Sequence, residues 1–431
     1  MNIAIIGAGY AGMAAAVTLA AKNIPVTIFE AGKNLGGRAR GVIYKGTQID
    51  NGQHIFLGCY QHTLRLIEQV GGNIEQDFLR LPLQLSLHKR FSLKAPHLPA
   101  PLHLLVGLLG AQGLTFSQRI SAARFMLAMR RIQFSLPHDM SALELLDSHQ
   151  QDHELLRLLW QPICISALNT PLRLASAQIL LNVLRSGLND SRADSDMLLP
   201  RLDFSSLFPD RAAEYILNRG GTLHNSCPVQ AILPRGGEIE IITNQTSASK
   251  LFSHVICATS PIAAARLLQA VPPLSALAQQ IAAIPNQPIY TLYLQYPEHV
   301  HLPQPMLGFD QCFTQWLFDR GQIAEQNGLL AAVISAEGLH QELSQAQLTE
   351  KVVRELHEQL GIAETPLWSK VVAEKRATFS CEVNVARPPH TTPIKNLLLA
   401  GDYTAGDFPA TLEGAVMSGI RCAEEILHAS T

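Results

Sequence analysis

Residues 2–30 read NIAIIGAGYAGMAAAVTLAAKNIPVTIFE. Asn2 to Ile6 forms a short β-branched run, the pattern of a strand buried on both faces. Gly7, Gly9 and Gly12 follow at G-x-G-x-x-G spacing. The first glycine allows a tight bend, the second lets backbone approach a diphosphate, and the third lets a helix pack on the strand. An alanine-rich helix is predicted over 10–22. Its free N–H groups and positive dipole end suit phosphate. A second strand ends at Glu30, where an acid binds ribose hydroxyls. A glycine triplet alone is weak, and a glycine-rich βα turn without ligand is the bland alternative. Strand, turn, helix, second strand and acid together predict a Rossmann-like nucleotide site.

The next stretch, AGKNLGGRARG (31–41), bears on which nucleotide. Gly36 and Gly37 again permit close backbone approach. Arg38 and Arg40 add two guanidiniums, suited to an extended diphosphate. Near the C-terminus, NLLLAGDYTAGDFPATLEGAVMSGIRCAEEIL (396–427) begins as a buried strand and continues as a helix from about Thr411 or Leu412. Gly401 and Asp402 close the strand. Both stretches resemble the flavin-dependent amine oxidase and phytoene desaturase superfamily. That resemblance implies FAD rather than NAD, with Gly37, Arg38 and Arg40 in the cofactor site. It places Asp402 at the ribityl or pyrophosphate region. It points the N-terminus of the Glu413 helix at the flavin, with Gly414 and Ala415 small enough to lie against it. A helix N-terminus there would stabilise negative charge on reduced flavin. A valine early in a later segment, matched by Val229, would meet the adenine through its backbone.

Composition narrows the rest. The 431 residues are too many for one ordinary core. Hydrophobic residues make up 47% and charged residues 16%, the balance of a well-buried globular protein. A net charge of -2 creates no field for nucleic acid, and any membrane contact must come from a local patch. The seven cysteines are scattered without a CxxC pair, which suits a reduced compartment. The N-terminus lacks a basic region and a cleavage site. The apolar run at 102–114 is too short to span a bilayer. The expected localisation is cytoplasmic, with peripheral contact at the inner face of the cell membrane as the variant to test. No metal-ligand set is present.

The expected fold is α/β: a Rossmann-like FAD-binding domain of the glutathione-reductase type, amine oxidase-like, with an inserted α+β substrate domain. The cofactor domain is read as 1–75, 210–262 and 385–431, and the substrate domain as 76–209 and 263–384. Residues 222–244 read as short strands around an Arg-Gly-Gly turn. The first insertion reads as largely helical. Its segment 98–133 carries Arg119, Arg124, Arg130 and Arg131. It is either a buried helix pair or a lipid-facing patch whose arginines meet phosphate head groups. The stretch 159–186, with its polar LNT insert, would line a long apolar cavity.

DNGQHIFLGCY (50–60), ALNTPLRLASAQ, DMLLPRLDFSSLF and GDFPATLEGAVMSG resemble the hydroxysqualene dehydroxylases of bacterial hopanoid pathways. The likeness runs nearly end to end. It implies reductive removal of an allylic hydroxyl from an isoprenoid, with reduced FAD as hydride donor. Such a substrate needs apolar walls and few polar groups. One group must hydrogen-bond or protonate the departing hydroxyl. The candidates are His54 and Gln53, then Asp194 and Asp196. A backbone-fixing role for His54, and a helix-cap or solvated-loop role for the aspartates, stand beside these. No second glycine fingerprint is present, so the electron donor to FAD is open. A carotenoid desaturase or isomerase, an amine oxidase, and a non-enzymatic isoprenoid escort are the competing readings.

Overall fold

The computed structural model describes residues 1–188, 191–244 and 250–429. The strand Ile3–Ile6 lies at the centre of a five-stranded parallel sheet. The order across it is Thr222–His224, Val26–Phe29, Ile3–Ile6, His254–Cys257 and Leu397–Leu399. Side chains alternate across a strand, so this one feeds two cores. Ile3 and Ile5 pack with the helix Tyr10–Ala20. Ala4 and Ile6 pack on the opposite side, with Ile232, Ile241 and Phe252. Those residues belong to the antiparallel sheet Val229–Arg235, Glu238–Thr243 and Lys250–Phe252. Each fully buried isoleucine contributes about 1.5–3 kcal/mol. Covering both faces is the condition for an all-parallel sheet.

The helix Tyr10–Ala20 is buried at every position except Thr18. The helix Leu412–His428 lies directly on it. A Cβ at Gly419 would stand 2.0 Å from the Ala11 carbonyl oxygen, so glycine is what lets the two backbones meet. The two sequence half-motifs therefore end in one layer. This is the expected α/β Rossmann-like arrangement.

A second, mixed sheet runs Trp368–Phe379, Asn286–Gln295, Leu329–Ser335, Trp316–Asp319, Met306–Gly308, Gln84–Leu87 and Phe91–Lys94. Chain from both predicted insertions thus shares one sheet. The first insertion is largely helical, as its sequence suggests, but not wholly so. It carries the strands Phe78–Leu81, Gln84–Leu87, Phe91–Lys94 and Met197–Pro200. Four-residue apolar runs do not reveal their period, which is why pattern alone missed them.

The LNT insert also differs from expectation. Asn169 ends the helix Gln161–Leu168 in the left-handed conformation, at φ 48°. Its side chain bonds the Pro288 carbonyl, the Thr378 hydroxyl and the Ala336 N–H. The Thr170 hydroxyl accepts from the Cys381 N–H. These groups tie a helix end to the large sheet rather than offering polar contacts to a cavity.

Candidate functional site

The glycine turn is built by close backbone contact. A Cβ on Gly12 would lie 2.0 Å from the Gly7 carbonyl oxygen, and one on Gly7 would lie 2.7 Å from that of Ala258. Those two glycines serve the fold. Gly9 is different, because a Cβ there meets nothing nearer than Gly37 Cα, at 3.9 Å. The helix that follows has no side-chain cap and no acid in its first turn. Its N–H groups face an open cradle, the geometry for an anion. Glu30 supports the turn, accepting from the Ala8 N–H and the Gly32 N–H, both at 2.7 Å. Backbone bonds from Ser226 and Cys227 to Gly32 and Glu30 bring Val229 to the same end. A β-bulge between Val229 and Ala231 takes the backbone out of regular pairing there.

The glycine–arginine segment meets the C-terminal motif. Arg38 pairs with Asp402 at 2.5 Å and donates to the Ala377 carbonyl at 2.6 Å. Burial opposes the guanidinium charge, but Asp402 outweighs it and raises the Arg38 pKa. Arg40 folds back onto the Gly37 carbonyl. Gly401 lies at φ 156°, and its N–H donates to the Ser418 hydroxyl at 2.7 Å. Arg387, which sequence reasoning did not single out, clasps this loop. It donates to the carbonyls of Asp402, Gly406 and Phe408, and its guanidinium lies 4.7 Å from the Phe379 ring centre.

Glu413 is engaged away from the glycine turn. Its buried carboxylate accepts from the His62 N–H and ring, and from the Thr63 N–H and hydroxyl. It caps the helix Gln61–Gln69, and that hydrogen bond raises the His62 pKa. The backbone N–H groups of Gly414 and Ala415 are both taken by Thr411, so the free donors at this helix start are those of Leu412 and Glu413. Gly414 N–H is held by the Thr411 cap at 3.1 Å.

Residues 50–54 run alongside Arg38. Asn51 is bonded to the Arg38 and Arg40 carbonyls. His54 Nδ1 lies 2.9 Å from the Gly52 carbonyl oxygen. A carbonyl only accepts, so Nδ1 carries the proton and Nε2 presents a lone pair. Burial lowers the His54 pKa to about 4, the Gly52 bond opposes this, and Arg38 adds to it. At neutral pH the ring is an acceptor and a poor acid. Gln53 is buried, its Nε2 donates to the His54 carbonyl, and its Oε1 has no partner. An orphaned acceptor in such a place fits a ligand donor.

Asp50, at the end of the strand Thr47–Asp50, is a further buried acid beside this segment. It is 2% exposed, and its carboxylate accepts from the Phe204 N–H at 2.9 Å. Burial pushes its pKa up to about 7, against that hydrogen bond and the attraction of Arg320. A folded value above the unfolded 3.8 means that ionisation costs the native state. Stability should therefore fall as pH rises between roughly 4 and 7 and level off above. Asp50→Asn keeps the acceptor and removes this charge. Its melting-temperature gain over wild type should be larger at pH 8 than at pH 5; an equal shift at both would refute the assignment.

The structure takes Asp194 and Asp196 away from catalysis. Asp194 accepts from the Ser191 N–H at 2.9 Å in a capping box and from Gln61 at 3.3 Å. Asp196 pairs with Arg80 at 3.1 Å and Arg192 at 3.3 Å. Both are buried carboxylates with structural partners: Asp194 takes the helix-cap role that stood beside the catalytic one, and Asp196 is held in ion pairs instead of standing as an acid for the substrate. Among the described residues no cluster of potential ligands could hold a metal ion.

The model of flavin-containing amine oxidoreductases matches residues 10–427. The chain belongs to that family. As a flavin-containing amine oxidoreductase family member it is an FAD-dependent oxidoreductase. Hydroxysqualene dehydroxylase of Sinorhizobium fredii is 28% identical, over 98% of this chain and 97% of that protein. The chloroplastic/chromoplastic zeta-carotene desaturase of Arabidopsis thaliana is 24% identical, over 100% of this chain and 86% of its own. A triple mutant of putrescine oxidase superposes with TM-score 0.78 at 16% identity, covering 99% of both chains. The residues present fit FAD: an uncapped helix start and an open space over Gly9. No helix among the described residues is long and apolar enough to cross a membrane.

Proposed function

We propose that this flavoenzyme removes the allylic hydroxyl of hydroxysqualene reductively, giving squalene for hopanoid biosynthesis. The observation that carries the reading is the pair at 53–54. Gln53 and His54 present two unused acceptors beside Arg38, on a segment otherwise tied down by its own backbone. The end-to-end likeness to a hydroxysqualene dehydroxylase supports the same substrate class. Gly9 and the helix start hold the diphosphate, Glu30 and Val229 the adenosine end, and Arg38, Arg40, Asp402 and Gly414–Ala415 the remainder. Residues 1–75, 210–262 and 385–431 form the cofactor domain, and 76–209 with 263–384 the substrate domain.

When bound and reduced, FAD supplies the hydride. The chain contributes position. A neutral His54 accepts from the substrate O–H, and Gln53 Oε1 offers a second acceptor. Fixing that hydroxyl fixes the allylic carbon on a long apolar chain that offers few other handles. The hydroxyl leaves as water: reduced flavin and the alcohol give oxidised flavin, the hydrocarbon and water, so the proton would come with the reduced flavin, and the neutral His54 ring does not supply it.

His54→Ala and Gln53→Ala test the pair by anaerobic turnover of hydroxysqualene with reduced flavin. Each should lower turnover by about tenfold or more, the effect of one lost polar contact in a site that excludes water. Flavin content should stay at the wild-type level. Full turnover in both variants would remove the pair from the site.

A further inference from the structure

The segment 78–138 contains no aspartate or glutamate, and eight lysines and arginines. In a chain whose net charge is -2, that is a local concentration of one sign. Two of its helices, Leu102–Leu109 and Phe116–Arg131, pack against each other. Arg119 joins them, donating to the Leu109 carbonyl at 3.3 Å and the Leu114 carbonyl at 3.1 Å.

Their outward faces are unusual for surface helices. The first buries His103, Leu104, Gly107 and Leu108 and turns Leu102 and Val106 to solvent, 49% and 43% exposed. The second buries Ala122, Phe125 and Met129. Phe116, Ile120, Arg124, Leu127 and Arg131 follow at steps of four, four, three and four, so they form one stripe on the opposite face. Phe116 is 72% exposed and Leu127 46%. A water-facing helix places polar residues there. Single exposed leucines are ordinary, but four large exposed apolar residues on two contacting helices mark an interaction surface. None of the ion pairs among the described residues uses Arg124, Arg130 or Arg131.

We propose that this face docks the protein on an anionic lipid surface. Phe116, Leu127, Leu102 and Val106 enter the head-group boundary, and Arg124, Arg130 and Arg131 pair with lipid phosphate. Arginine stems lie along apolar surface while their heads reach charge, so cations interleaved with phenylalanine and leucine suit an interface better than bulk water. The absence of any acid across the segment removes repulsion from the lipid. A second copy of the same face would bring like charges together, which disfavours self-association as the occupant.

The test is vesicle co-sedimentation of the whole protein, with no isoprenoid present, so it stands apart from the assignment of substrate. Vesicles of phosphatidylcholine alone are compared with vesicles containing phosphatidylglycerol. Binding should need the anionic lipid and should weaken as salt rises. Arg124→Ala with Arg131→Ala should lower the partition coefficient by about 30-fold, and Phe116→Ser with Leu127→Ser by about tenfold or more. Both double variants should keep wild-type melting temperature and flavin absorbance. Equal binding to both vesicle types, no binding to either, or unchanged partition in the variants would overturn the proposal. So would a dimer in solution that the variants dissolve without any lipid binding.

Discussion

Arg38→Ala is expected to purify colourless and to melt well below wild type. Two separate effects combine. Removing the guanidinium leaves the Asp402 carboxylate, 6% exposed, without its charge partner. Breaking a buried pair from one side costs about 3–5 kcal/mol; Arg38 keeps partial solvent access, so about 2–4 kcal/mol applies here. The second effect is loss of a charge-assisted partner for FAD, worth about 30-fold or more in cofactor affinity. The double variant Arg38→Ala/Asp402→Ala separates the two. It should recover most of the lost stability, because no unpaired charge remains, and should still purify without flavin. Absorbance at the flavin band and thermal unfolding read the two effects independently. A yellow double variant would take Arg38 and Asp402 out of the cofactor site and leave them a structural pair.

The second large effect contrasts two glycines three residues apart. In Gly12→Val the new Cβ would have to stand 2.0 Å from the Gly7 carbonyl oxygen, which nothing can accommodate without moving the helix off the strand. This variant should be insoluble or unfolded. In Gly9→Val the new Cβ meets nothing closer than 3.9 Å within the chain, and Gly9 has an ordinary φ of -76°. That variant should fold, with an apoprotein melting temperature close to wild type, and lose flavin by at least about tenfold because the side chain fills the diphosphate cradle. Circular dichroism with flavin quantitation checks both. Loss of fold in Gly9→Val, or normal flavin content in it, would contradict the reading of that space.

These contrasts show which parts of the molecule are legible in the sequence. The glycine turn and both flanking strands are local, and so are the closing strand and helix. Each follows from spacing within about thirty residues, and each forms as read. The partners of polar side chains are set by topology instead. Glu413 looks like a cofactor contact from its helix, yet it caps a helix that begins some 350 residues earlier, at Gln61. For Asp194 and Asp196 the sequence left a catalytic and a helix-cap role side by side, because Arg80 and Gln61, which engage them, come from a strand and a helix far upstream. The Arg387 clasp leaves no sequence signal, because its acceptors are backbone carbonyls. Asp50 carried a weak signal: an acid ending the strand Thr47–Asp50, whose neighbour Ile49 is buried. At 50–60 the sequence raised His54 as a proton donor. The Gly52 bond and burial make it an acceptor, a distinction that only tautomer and environment reveal.

The choice of substrate rests on the polar pair Gln53 and His54, and one measurement addresses it directly. Purified holoprotein is reduced anaerobically and given hydroxysqualene in one vessel; oxidised holoprotein is given zeta-carotene in another, and the extracted products are analysed. Squalene in the first vessel, in stoichiometric yield with reoxidised flavin, and unchanged carotene in the second is the expected outcome. Desaturated carotene together with unreacted hydroxysqualene would contradict the assignment and place this chain with the carotene desaturases.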